Sequence, residues 1–398
     1  MWINRTIESF FSDQDGVLSY FPVWLVLGPR QVGKSSLLKH CSEEGRSYIS
    51  FDDLETRIKA KEDPIFFIKN LKFPLCIDEI QYAPEILSAI KLQVDKTNIP
   101  GLVWLTGSQN FEVMKGVQES LAGRVAILNL YGFTDSEKKI TYKNPNEYFE
   151  YIFSSNFPKL YNNKKNDIRS FYFSSYLQTY VERDIRELLG ITKRREFEIF
   201  IKVCAHRSGQ LINYEDMARD VKVSPTTIKE WLSLLEDSFL IKLVHPWYSN
   251  KNKRLVKTPK LYFLDTGLCS YLMGWQTPEQ MLLGPSAGAI FETHVISNLY
   301  RELKHRLKIF EIYFWRTRDQ EELDLILELD GKNFPIEIKL GNVKSSNLMS
   351  LSKCEFPNKQ KGLIVSLIGK SHKEVINDEW DLVLPSNLIN EVLGFVKD

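Results

Sequence analysis

The stretch VWLVLGPRQVGKSS (23–36) decides the fold. Residues 23–27 are a continuous apolar run, suited to a strand buried on both faces of a parallel sheet. The next residues place Gly28, Gly33, Lys34 and Ser35 at the spacing G-x-x-x-x-G-K-[ST]. That spacing lets backbone N–H groups curl around phosphates while the following helix points its positive end at them. The expectation is an α/β chain with a P-loop NTPase parallel-sheet core that binds ATP and Mg²⁺. Gly28, Pro29, Arg30, Gln31, Val32, Gly33, Lys34, Ser35 and Ser36 would form the nucleotide cradle. Lys34 would reach the terminal phosphates and Ser35 would hold the metal.

Two further apolar runs support a sheet around this loop. FPLCIDEIQ (73–81) ends in Asp78 and Glu79, two carboxylates where a strand leaves the sheet. Asp78 is expected in the Mg²⁺ shell and Glu79 as the group that orients the attacking water. GLVWLTGSQN (101–110) ends in polar residues, and Ser108 is expected beside the terminal phosphate. Hydrolysis also needs positive charge on the transition state, which Lys34 alone seldom supplies. Arg124, in ESLAGRVAILNL (119–130), is the candidate arginine finger, acting within its own chain or on a neighbouring copy in a homo-oligomer. Its plainer reading is a surface ion pair.

Composition limits the remaining choices. The chain has 398 residues, 43% of them apolar and 26% charged, enough for two or three packed domains. A formal net charge of +1 excludes a uniformly basic nucleic-acid coat. The five cysteines are scattered, with no C-x-x-C pair, so neither a disulfide framework nor a zinc site is indicated and a reducing cytoplasm is expected. The beginning of the chain has no targeting pattern, and no apolar run approaches the roughly 20 residues of a membrane span.

The middle of the chain reads as helical. FYFSSYLQTYVERDIRELLGI (171–191) has helical apolar spacing, and ion pairing is the plainer reading of Arg183 and Arg186. NYEDMARDVKVSPTTIKEWLSLLEDSFLIKLVHP (213–246) gives a helix, a turn, a second helix capped by Ser224 with Pro225 at its first position, and a strand. This is the outline of a winged helix-turn-helix. Its second helix offers outward only Thr226, Thr227, Lys229, Glu230 and Ser233, a set without arginine, so base reading and simple packing both stay open. The run NKNKRLVKTPK (250–260), with Lys251, Lys253, Arg254, Lys257 and Lys260, would neutralise phosphates or form a solvated loop.

EELDLILELDGKNFPIEIKL (321–340) reads as two alternating strands joined by a turn at DGKN. Pairing Leu329 with Phe334 would set Asp324 opposite Lys339, with Glu337 in diagonal reach on the same face. Two carboxylates and a lysine so placed suit metal-assisted phosphodiester hydrolysis, with Asp324 and Glu337 on Mg²⁺ and Lys339 positioning the nucleophile. A one-residue slip would turn Asp324 to the other face. The plain alternative is a cross-strand Asp324–Lys339 ion pair. His294 is expected on a helix surface, the aromatics of YFWR (313–316) in the core, and Arg316 exposed.

The order GPRQVGKSS, CIDEIQ, LTGS, LAGR, YVERDIREL, KTPKLYFLDTGL, GAIFETHVISNLYRE and PIEIK resembles prokaryotic AAA-type ATPases with a C-terminal domain of unknown function, over nearly the whole chain. The resemblance implies an AAA-like core (1–150), a helical lid or linker (151–200), a winged helix-turn-helix (201–275) and an α/β restriction-endonuclease-like domain of the PD-(D/E)XK type (276–398). In such nucleases an acidic residue of the first helix joins the site, which nominates Glu292. The leading expectation is an ATPase acting on DNA with a metal-dependent nuclease site. The alternatives are an ATP-controlled switch that binds DNA or protein without cutting, and a structural oligomer, which Lys34 and Glu79 argue against.

Overall fold

In the computed structural model the described residues are 2–13, 15–108, 114, 116–117, 119–161, 165–179, 193–248, 257–317, 321–341, 343, 351–354, 356–368 and 373–397. They form two compact units, one of residues 1–133 with 237–239 and 304–307, the other of the remainder. The division falls before the expected boundary at 150. The helix Pro145–Ser154 packs on the helices Thr266–Leu272 and Pro278–Leu283 of the second unit.

The first unit is built on five parallel strands: β1 (Val23–Leu27), β2 (Ser47–Ser50), β3 (Leu75–Asp78), β4 (Val103–Gly107) and β5 (Val125–Asn129), in the order β2-β3-β4-β1-β5. Every residue of β1, β3 and β4 is buried, as the continuous apolar runs require. Helices α1 (Lys34–Cys41), α2 (Leu54–Glu62) and α3 (Ile86–Thr97) belong to this unit. Trp24 and Trp104 stack at 5.3 Å between ring centroids, with the Arg46 guanidinium 3.8 Å above the Trp104 ring. Because β1 lies between β4 and β5, the loop that follows it emerges at the sheet's carboxyl edge beside the end of β4, with the end of β3 one strand further on.

In the second unit, α4 (Arg194–His206), β6 (Gln210–Leu211), α5 (Tyr214–Val221), α6 (Pro225–Asp237), β7 (Ile241–Pro246) and β8 (Lys260–Phe263) follow in order. Ser224 caps α6 through the Thr227 N–H at 3.1 Å, and Pro225 opens the helix. Thr226, Lys229, Glu230 and Ser233 are exposed. After them come α7 (Ala287–His305), β9 (Phe310–Arg316), β10 (Glu322–Leu329), β11 (Lys332–Lys339), β12 (Gly362–Ser366), β13 (Lys373–Val375) and β14 (Trp380–Val383).

These strands make one nine-stranded sheet, in the order β13-β14-β12-β11-β10-β9-β7-β8-β6. The join is a parallel pairing of β7 with β9, His245 with Tyr313 and Pro246 with Phe314. The segments 201–275 and 276–398 therefore share a sheet, and β7 is spared an open edge. The core beneath includes Trp247, Leu323, Ile326, Phe356, Ile364 and Trp380.

Candidate functional sites

Gly28 leaves β1 at φ +155°, and a Cβ there would lie 1.9 Å from the Leu130 carbonyl oxygen. Gly33 takes φ +96° immediately before α1. Both positions need glycine, one for close backbone approach and one for the left-handed turn. Across this loop, Lys34 Nζ donates to the carbonyls of Gly28 at 2.9 Å and Pro29 at 3.0 Å. Burial pulls the Lys34 ammonium down to about 8, against the pull of Glu79 and Asp78, and Arg30 lowers it further. Anionic phosphate here would favour its charged form. Val32 is buried and Ser36 exposed.

The ends of β1, β3 and β4 meet as expected. Ser35 Oγ donates to Asp78 Oδ1 at 2.8 Å, and Thr106 Oγ1 donates to the same oxygen. Tyr48 donates its hydroxyl to Asp78 Oδ2 at 2.7 Å. Glu79 is left-handed, at φ 57°, with its N–H bonded to Thr106 Oγ1 at 3.0 Å. Its carboxylate accepts from Ser108 Oγ at 3.2 Å and from Gln81 Nε2. Ser108 thus stands beside the acid named to orient water. A hydroxyl and one carboxylate suit Mg²⁺, which takes few protein ligands and completes its shell with water and phosphate oxygens.

Arg124 lies elsewhere in this unit. It directly precedes β5, whose first residue pairs with Val23 at the start of β1, whereas the phosphate loop follows the end of β1. Its guanidinium grips Asp95 of α3, with Nη2 to Oδ2 at 3.1 Å. Within one copy of the chain it is the length of a strand from the loop, so a finger role would need a second copy.

The second constellation lies on β10 and β11. Leu329 pairs with Lys332, not with Phe334, which pairs with Leu327. Asp330 and Gly331, at φ 49° and 74°, form a two-residue turn, tighter than the DGKN turn expected. The register moves by two residues, so every side chain keeps its face, and continuing it one residue past Leu325–Ile336 sets Asp324 opposite Glu337 instead of Lys339. Against β9 the register shifts between Leu323 and Ile326, a β-bulge around Asp324.

Asp324 Oδ2 accepts the Ile338 N–H at 2.8 Å, and Lys339 Nζ stands 2.5 Å from Glu337 Oε1 and 3.9 Å from Asp324 Oδ2. Glu292, in the second turn of α7, accepts from the Tyr262 hydroxyl at 2.6 Å and from Lys260 Nζ at 3.3 Å. Lys260 also pairs with Glu322. Burial and the Asp324 charge push Glu292 and Glu337 up to about 7, against the opposing pull of Lys260 and Lys339 respectively. Asp324 is raised by burial, although Lys339 and the Ile338 N–H hold it down. Lys339 and Lys260 each lose to burial but gain more from their carboxylates, and both are raised.

Four carboxylates and two lysines leave a formal deficit that a divalent cation would fill. Among the described residues, however, no three His, Cys, Asp or Glu side chains form a group that could hold a metal ion. The donors fit an ion bound by Asp324 and Glu337 that keeps most of its water, as Mg²⁺ does.

Two expectations are corrected here. His294 is fully buried, with Nδ1 3.1 Å from Thr266 Oγ1 and Nε2 3.1 Å from Asp135 Oδ2, because its helix is covered on that face too. Lys260 is a buried β8 residue paired with acids, not a member of a solvated basic loop. Arg316 is exposed, as expected, 3.9 Å from Glu322, and Phe314 is core. Arg183, Arg186, Lys251, Lys253 and Arg254 lie outside the described residues. Sequence reading missed Tyr48, Gln81 and Thr106 around the first site and Tyr262 and Glu322 around the second. Thr106, Gln81 and Tyr262 sit within the quoted motifs, but Tyr48 carries no local signal.

No described helix is long and apolar enough to cross a membrane. Residues 20–138 match the AAA domain family, 145–279 a domain of unknown function (DUF8612), and 287–387 another domain of unknown function (DUF4143). An uncharacterized protein of Mycobacterium tuberculosis is 27% identical over 388 residues, covering 94% of this chain and 84% of its own. An uncharacterized protein of Haemophilus influenzae is 24% identical over 286 residues, covering 63% and 69%. A crystal structure of a Vibrio cholerae protein, VC1899, aligns over 94% of this chain and 97% of its own at 14% identity, with a TM-score of 0.20, too low to inform the fold. The AAA match and the five-stranded parallel sheet support an AAA-type P-loop ATPase core in this chain, and the C-terminal match is to a domain of unknown function.

Proposed function

We propose that the chain is an ATP-hydrolysing enzyme acting on DNA, with a metal-dependent phosphodiesterase site in its C-terminal part. The observation that carries the second half is the meeting of Asp324, Glu337 and Lys339 at a β-bulge, with the helix residue Glu292 within electrostatic reach. Asp324 and Glu337 would hold Mg²⁺, which would activate water and stabilise the leaving oxygen. Lys339 would position the nucleophile. In the first unit Lys34 would bind the terminal phosphates, Ser35 and Asp78 the nucleotide's Mg²⁺, and Glu79 with Ser108 the attacking water. The order α4-β6-α5-α6-β7-β8 supports a winged-helix reading, and we assign it the role of positioning the nucleic acid.

A second reading, an ATP-controlled switch that binds DNA or protein without cutting it, is favoured by Lys260, which pairs with Glu292 and Glu322 where a cation would be wanted. Plasmid and single-stranded DNA incubated with Mg²⁺ or Mn²⁺, with and without ATP, decides between them. The enzyme reading expects cleavage that Glu337→Ala abolishes and Glu79→Gln alters. No cleavage with any metal, beside intact ATP hydrolysis, selects the switch.

A further inference from the structure

The phosphate loop carries an arginine at its centre. In GPRQVGKS (28–35), Arg30 sits between Pro29, which fixes its own φ, and Gln31, held at φ 64°. A loop that works through backbone N–H groups does not need a long cationic side chain there. Arg30 Nη2 donates to the Tyr82 hydroxyl at 2.9 Å. Tyr82 closes the short turn Ile80–Tyr82 directly after Glu79, so this bond ties the phosphate loop to the segment carrying the water-orienting acid.

Tyr82 is itself held. The Arg57 guanidinium lies 4.2 Å from its ring centroid, and Arg57 Nε donates to the Phe51 carbonyl at 2.8 Å. Phe51 in turn donates its N–H to the Asp78 carbonyl at 3.0 Å. The phenol that receives Arg30 is therefore fixed to the ends of β2 and β3, beside the catalytic acids. Arg30 also acts electrostatically on both Lys34 and Asp52.

From this geometry we infer that Arg30 is a catalytic residue that places positive charge on the terminal phosphate of ATP from within the same chain, with Tyr82 as its positioning residue. The inference rests on the nucleotide reading of this site. In the reaction, water adds to the terminal phosphorus and the bond to the bridging oxygen breaks. ADP leaves with that electron pair, and the water proton passes to solvent with the inorganic phosphate. Charge grows on the bridging and terminal oxygens as the bond breaks, and a guanidinium in the loop meets it. Arg124, at the opposite end of β1, has no path to it within one chain.

The test uses the full chain. ADP affinity of the wild type is measured first by calorimetry with Mg²⁺, then single-turnover ATP hydrolysis and trapping of ADP with aluminium fluoride, for wild type, Arg30→Ala, Arg30→Lys and Tyr82→Phe. Thermal unfolding checks that each variant folds. The expected result is a loss of at least about 100-fold in the hydrolysis rate for Arg30→Ala, with ADP affinity within about threefold and trapping abolished. Arg30→Lys recovers less than about a tenth of the rate, because an ammonium lacks the planar fork. Tyr82→Phe lowers the rate and leaves affinity unchanged. The rate per chain stays independent of protein concentration. Hydrolysis by Arg30→Ala within about threefold of wild type overturns the inference. So does hydrolysis lost in Arg124→Ala and restored by mixing with Lys34→Ala, which would put the finger on a second copy. A wild type that binds ADP but does not hydrolyse ATP overturns the catalytic role alone, whereas one that binds no nucleotide overturns the reading of the site.

Discussion

Asp324 and Glu337 stand opposite each other on the β10–β11 hairpin, with Lys339 Nζ 2.5 Å from Glu337 and 3.9 Å from Asp324. Two carboxylates on adjacent central strands repel each other unless a cation lies between or beside them. Lys339 supplies part of that charge.

If that pair takes a metal, Mn²⁺ or Mg²⁺ stabilises the fold by mass action. Addition of Mn²⁺ at ten times its dissociation constant should raise the melting temperature of the second unit by about 2–4 °C. Glu337→Gln should melt close to the wild type without metal and lose the rise. An undiminished rise in Glu337→Gln would place the metal elsewhere.

Lys260 is buried between Glu292 and Glu322, so removing its charge leaves two acids facing each other without a cation. Lys260→Met should destabilise the second unit by about 3–5 kcal/mol in denaturant titrations. Adding Glu292→Gln should recover a large part of that loss, since the remaining partner is then a single, partly exposed carboxylate. A Lys260→Met protein as stable as wild type would show that the lysine is dispensable to the cluster.

The first site was legible because its parts lie in three short segments, each an apolar run ending in the residues that meet. Gly28 to Ser35, Asp78 with Glu79, and Ser108 need only adjacent parallel strands to converge. The hairpin site was legible to within two residues, and period-two geometry made that error harmless to the face assignment. Lys260 escaped because its partner Glu292 is distant in sequence and a run of lysines before a strand looks solvated. The shared nine-stranded sheet escaped for a similar reason, since the β7–β9 pairing leaves no local pattern. His294 was misread because α7 is buried around much of its circumference, where helical periodicity loses its contrast.

Gly28 offers a steric test of the first site. A Cβ there would meet the Leu130 carbonyl at 1.9 Å, and the backbone is at φ +155°. Gly28→Ala should shift the loop, cost about 2 kcal/mol or more of stability and weaken ADP binding at least tenfold. Gly45→Ala is the control for a positive φ alone, since φ is +94° there with nothing within 4 Å of the added Cβ. Its cost should be about 1 kcal/mol, with nucleotide affinity unchanged. Equal effects of the two substitutions in calorimetry would mean that close approach at Gly28 is unimportant.

The buried Asp135 carboxylate should contribute to the acid sensitivity of the second unit. Burial raises the Asp135 carboxyl, but His294, then Lys138 and Arg301, outweigh it and hold it down at about 2, below its ordinary 3.8. Because the folded value is the lower one, the unfolded chain binds the proton more tightly between these two values. The group's contribution to stability is therefore present above about pH 4 and is lost as pH falls toward 2. Asp135→Asn should destabilise the unit at pH 7 by leaving His294, Lys138 and Arg301 without their shared carboxylate. It should also flatten the fall in stability between pH 4 and 2, read from urea unfolding at stepped pH. A variant whose acid slope matches the wild type would show that other carboxylates, not Asp135, carry the acid response.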